Sequence, residues 1–331
     1  MGKCLSDCVD KSLEKMIYTM NIIFAAVLAT MGLFGNPLTL YIYSRGTFKR
    51  TSTGFYFSCL AVVNSAALII FVIRLLMENI SQIDISGETN FYCKFFTITM
   101  YILSPLSAWI ETAASLDRLA ATKFTPLFNS IKRRRFQVLM VALITVALIT
   151  LNVPNIYYFQ LIDRLYNSSN NYNRCQVCGI DKKESDYNLL WVNVIDLLIS
   201  ILIPFLLMIF SSCKISLKIF KSKVNVVNLK NSRTNLLREY QFAATIIGRN
   251  ILFLALNLPM AVFLIIDIHC DLFTFSTNNI HYDLGYAIAT FFSYLNYSNT
   301  FVVDIVCNRM YRKRFKQIFY KKTVISESIK L

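Results

Sequence analysis

Histidine is nearly missing from this chain: 331 residues hold two, His269 and His281. There is also no HExxH helix, no GxSxG with a distant base and no phosphate-cradling glycine loop. Zinc-hydrolase, serine-hydrolase and nucleotide-dependent chemistry therefore lack their residues, and neither an enzyme activity nor a cofactor or metal is expected. Charge is scarce as well, at 16% of residues against about 25% in soluble domains. Only nine residues are glycine, while 55% are hydrophobic, a composition unlike that of a soluble domain.

What fills the chain is long uncharged runs. They span Ile17 to Tyr43, Gly54 to Ile73, Phe95 to Ile110, Phe136 to Ile162 and Leu284 to Val303. Two more, Tyr187 to Cys213 and Tyr240 to Ile266, are broken by one charge each, Asp196 and Arg249. A bilayer core takes about 20 helical residues to cross. Seven spans follow, at about 17–43, 54–78, 93–121, 135–160, 187–218, 238–267 and 283–307, the third completed by a charged end. These runs mostly lack the polar face that a helix of a soluble bundle needs. Pro37, Pro204 and Pro259 lie inside spans, where packed membrane helices tolerate them. The expected fold is an all-α membrane protein: a seven-helix bundle over 17–307, preceded by an outer N-terminus and followed over 308–331 by an amphipathic helix and tail.

Charge sets the orientation. The segments after spans one, three, five and seven hold 23 of the 34 Lys and Arg but only two acids, Glu239 and Glu327. The opposite face has 13 acids against nine bases, so the positive-inside rule makes the basic face cytosolic and the N-terminus outer. The net charge of +15 is spread over four short segments beside apolar spans, which points to anionic lipid and cytosolic partners rather than nucleic acid. "MGKCLS" fits N-myristoylation of Gly2 with Cys4 as a palmitate site, which would need a cytosolic start and is outweighed by the charge bias. No cleavable signal peptide is evident, and the first span is expected to act as signal anchor.

Six of the nine cysteines, Cys4, Cys8, Cys93, Cys175, Cys178 and Cys270, fall on the outer side, an even set in an oxidising compartment. A bridge from Cys93 to Cys175 or Cys178 would pin the loop after span four over the helix mouth. A metal reading of "CQVC" is weaker, because neither histidine is in that loop. Asn79 ("NIS") and Asn167 ("NSS") are outer-side glycosylation acceptors, whereas "NYS" at Asn296 lies inside span seven.

Several short motifs follow one another along the spans. "GN" at Gly35 and Asn36, "LAVVN" ending at Asn64, and Cys93 placed 25 residues before Arg118 come first. Asp117-Arg118-Leu119, Pro204, "FLALNLP" from Phe253 to Pro259, "NYSNTFVVD" from Asn296 to Asp304 and the basic "RMYRKRF" complete the series. In order and spacing these resemble the rhodopsin-like family of G-protein-coupled receptors over nearly the whole chain. The resemblance implies an extracellular ligand, a heterotrimeric G protein as partner, and activation by outward movement of span six. The short "SNTF" and the basic tail are similar to invertebrate FMRFamide-type neuropeptide receptors.

The departures from that family matter equally. Asn64 stands where the family has Asp, which removes the main charged ligand of its internal sodium site. Asn257 replaces the toggle Trp, Leu119 the Tyr after Arg, and "TFVVD" lacks both Pro and Tyr. Either the switch is built differently or G-protein coupling has been lost.

By the resemblance, Arg118 would bond Asp117 and Glu239 at rest and turn to the G protein when span six swings out, with Phe253, Asn257 and Pro259 part of the switch. Glu111 lies about two turns from Arg118 on the same face, where the family has an apolar residue. Arg249, ten residues before Pro259, stands opposite. Because an unpaired intramembrane ion is costly, a Glu111–Arg249 pair is the simplest expectation, with Asp304 a second candidate partner.

Toward the outer cavity lie Arg74, Glu78, Tyr101, Asp196 and Asp267, mixed charges that suit a peptide. Met100 stands where amine receptors of the family carry Asp, and span seven has no Lys for retinal, so both ligands are disfavoured. The alternatives are a transporter or channel with Glu111, Asp196, Arg249 and Asp304 along a polar path, or a seven-helix chemoreceptor without a G protein. The internal repeat that would favour transport is not seen. Beyond span seven, Tyr311, Phe315, Ile318 and Phe319 are spaced as an amphipathic stripe that suits the inner leaflet, and Thr323, Ser326 and Ser328 are candidate kinase sites.

Overall fold

A computed structural model describes residues 11–80, 85–121, 134–168, 171–180, 194–225, 233–273 and 280–328. The apolar runs become long helices because the bilayer core offers no water to an unpaired backbone N–H or C=O. Span one is Lys11–Tyr43, span two Ser52–Ile80, span three Asn90–Ala121 and span four Arg134–Leu151. Span five runs through a π-helical turn, Leu197–Leu202, into Ile203–Asn225, and span six is Arg233–Phe273. These six contain stretches long and apolar enough to cross a membrane. Span seven completes the bundle in two pieces, Ile280–Ser298 and Thr300–Cys307, joined at Asn299.

Proline explains part of the geometry. Pro204 has no N–H to give the carbonyl four residues earlier, and the turn ahead of it widens to π form. Pro37, Pro105 and Pro259, by contrast, sit inside helices that continue through them. At 41 residues span six is about 60 Å long, roughly twice the hydrocarbon core.

Two features were not anticipated. Span four stops at Leu151 rather than near 160; a short helix, Val153–Tyr158, follows with Pro154 in its first turn. The chain then forms an antiparallel hairpin, Phe159–Ser168 with Asn171–Ile180, in which Phe159 lies opposite Ile180. The hairpin is fastened to the start of span three, where the Leu161 amide donates to Asn90 Oδ1 at 2.7 Å and Cys178 is bonded to Cys93. Cys178 is thus the partner that the sequence left open. The Cys175 side chain lies outside the described residues, as do those of Asn79 and Asn167.

The tail helix, Arg309–Ser328, starts at Asn308, whose side-chain oxygen accepts the Met310 and Tyr311 amides at 3.1 Å each. Its apolar stripe docks on the bundle. Tyr311 is fully buried beside the Tyr43 and Phe301 rings, and its hydroxyl shares a hydrogen bond with Thr39 at 3.1 Å. Phe315 and Ile318 pack on the same core, and Phe319's side chain lies outside the described residues. That core, which includes Tyr43, Phe57, Ile110, Phe242 and Ile246, fastens spans one, two, three and six together at the Arg118 end.

Candidate functional site

Asp117 and Arg118 lie near the end of span three, 4% and 7% exposed. A buried carboxylate and guanidinium need hydrogen bonds as well as each other. Ser52, the first residue of span two, provides them: its hydroxyl donates to Asp117 Oδ2 at 2.5 Å and accepts from Arg118 Nη2 at 3.0 Å. The direct approach, Arg118 Nε to Asp117 Oδ2, is 3.8 Å. The guanidinium carbon lies 5.1 Å from the centre of the Phe242 ring on span six. The expected Asp117–Arg118 pairing is present, with Ser52 as a bridge that sequence reasoning missed. Glu239 lies on span six, and its side chain falls outside the described residues.

Two turns further into the bundle sits a second charged group. Arg249 of span six grips Asp304 of span seven with two prongs, Nη2 to Oδ2 at 2.8 Å and Nε to Oδ1 at 3.3 Å. Their side chains are 2% and 0% exposed. The Arg249 guanidinium also lies 4.0 Å over the Phe57 ring of span two, and Tyr43 of span one is within electrostatic reach of both. This corrects the expected Glu111–Arg249 pair. Glu111 is buried near Arg249 and feels its charge, yet no ion pair joins Glu111 to a cation among the described residues. Asp304 is a buried residue of Thr300–Cys307, the short piece of span seven that begins after Asn299. A carboxylate met in fork geometry takes the guanidinium's Nε–Nη2 edge; Nη1 is left buried without a hydrogen-bond partner.

Polar side chains continue up the bundle. Asn250 donates to Ser212 Oγ at 2.7 Å and Ser115 Oγ at 3.2 Å, so that span six is tied to spans five and three. Asn257 donates to the Phe253 carbonyl and accepts from Ser293 of span seven, both at 2.9 Å. Phe253 is buried with Ala108 and Met208. Ser107 donates to Asn64 Oδ1 at 2.6 Å, and Asn36 ties the two halves of span seven by donating to the Tyr297 carbonyl and accepting from Thr300. These bonds tie span six to spans three, five and seven.

At the bridged end, Arg74 and Glu78 pair with each other at 2.9 Å on one half-exposed helix face. Tyr101 and Asp196 line a single small cavity between spans three, four and five, where Ser200 donates to Asp196 Oδ1 at 2.6 Å. Asp267's side chain lies outside the described residues. The five expected ligand residues therefore resolve into two pairs and one undescribed member.

The model of the family described as "7 transmembrane receptor (rhodopsin family)" matches residues 35–302. No curated protein matches the chain. A match over most of the length, on a bundle of seven helices with the bridge at one end and Asp117–Arg118 buried at the other, has one reading: the chain belongs to the rhodopsin family of seven-transmembrane receptors.

Proposed function

We propose that this receptor sits in the plasma membrane with its N-terminus outside and carries an extracellular signal, a peptide, to a heterotrimeric G protein through outward movement of span six. The observation that supports it most is Arg118: a guanidinium held under Phe242 of span six by neighbours on spans two and three. A buried cation of that kind is uncovered when span six departs, and becomes a donor for a partner's backbone or carboxylate. The outer orientation rests on the distribution of Lys and Arg. The peptide preference rests on the mixed charges at Arg74, Glu78, Asp196 and Asp267. Arg249 and Asp304 neutralise each other rather than line a polar path, which speaks against transport.

The test is a panel of neuropeptides applied to cells that express the receptor, read by cyclic nucleotide, calcium and ion current together. A peptide-evoked second-messenger response that Arg118→Ala abolishes at equal surface expression is the expected result. Currents without second-messenger change would overturn the reading.

A further inference from the structure

The cavity between spans three, four and five holds an acid for which the described chain provides no cation. The Asp196 carboxylate accepts the Ser200 hydroxyl, and among the described residues no Lys or Arg is paired with it. A carboxylate in a membrane-spanning segment is costly unless it is paired. The other walls repeat the same polarity. Asn155, 7% exposed, gives its amide to Asn152 Oδ1 at 2.8 Å, and its own carbonyl oxygen accepts nothing from the described residues. Asn152 spends its amide on the Tyr101 and Leu148 carbonyls at 3.3 and 2.9 Å. Tyr101 closes one side, and Pro105, Leu148 and Ile199 supply the apolar remainder.

Two acceptor groups and an apolar surround form a site for a small cation. The cavity volume of about 20 Å³ is room for one water-sized group, such as an ammonium head. Asp196 stands directly before the π-helical turn that starts at Leu197 and lines the cavity with Ile195, Ile199 and Ser200.

We propose that this cavity is a binding site for a primary ammonium group, with Asp196 as counter-ion and Asn155 and Tyr101 as its other contacts. Its role in ligand recognition rests on the receptor reading above, and the ammonium would come from a peptide's amino terminus, a lysine side chain or a small free amine.

The experiment is a thermal unfolding titration of the purified receptor in detergent. The probes are propylammonium, isosteric 1-propanol, and a short peptide amide with its amino terminus either free or acetylated. At tenfold saturation the wild type is expected to gain on the order of 2 °C with propylammonium and nothing with propanol. Asp196→Asn, which keeps the Ser200 bond, loses that gain. Asn155→Leu, which fills the cavity, loses it too and guards against misfolding of the first variant. A gain with the free but not the acetylated peptide assigns the group to a peptide terminus, and a gain with propylammonium alone assigns it to a small amine. Equal effects of propylammonium and propanol, no gain at all, or a gain retained in both variants overturns the proposal. No signalling is measured, so this outcome is independent of whether a G protein couples.

Discussion

Arg249 and Asp304 meet in a two-pronged ion pair that joins span six to span seven with both side chains withdrawn from solvent. Glu111 lies close by, buried and without an ion-pair partner among the described residues. Two acids surround one base, and only one acid is bonded to it.

The two acids are therefore unequal in stability. Asp304→Asn leaves a buried guanidinium without its counter-charge and is expected to cost about 3–5 kcal/mol. Glu111→Gln removes a carboxyl group that makes no ion pair among the described residues and is expected to cost clearly less than Asp304→Asn. Thermal unfolding of the two purified variants checks the asymmetry; equal losses would contradict it.

Ser52 bridges Asp117 and Arg118, so its removal loosens the guanidinium without touching either charge. Loss of the hydroxyl costs about 1–3 kcal/mol at a buried pair. Ser52→Ala is expected to raise basal second-messenger output at matched surface expression, and Ser52→Thr to keep it near wild type. Unchanged output from Ser52→Ala would show that the bridge bears no load.

The Cys93–Cys178 bond closes a loop of 85 residues of sequence separation and holds the hairpin on span three. A cross-link of that length contributes about 4–5 kcal/mol by restricting the unfolded chain. Cys93→Ser and Cys178→Ser should each lower stability by a similar amount, and the double variant no further. Additive losses would mean that the two cysteines act separately.

The spans were legible because a run such as Tyr240 to Ile266 has no other stable place than a bilayer. The hairpin was not, although the polar "NSSNN", Asn167 to Asn171, where the two ten-residue strands meet is a turn signal, because the apolar run before it continued without charge to Ile162. The inner charges could be assigned a depth from their spacing but not a direction. Glu111 and Arg249 share a level, yet it is Asp304 of span seven that the guanidinium meets. Ser52 went unread for a related reason: at the start of a helix a serine looks like a cap, and only the fold shows which charges it touches.

The central claim is that the Arg249–Asp304 bond restrains span six against span seven at rest. Spin labels at Arg50→Cys, beside the start of span two, and Tyr240→Cys, on span six, report that restraint by pulsed electron resonance in a background with Cys59, Cys213 and Cys307 each replaced by Ser. The distance should lengthen in Asp304→Arg and in Arg249→Asp, and return to the unmutated value in the double exchange. An unchanged distance in both single variants, or no recovery in the double, would contradict the account.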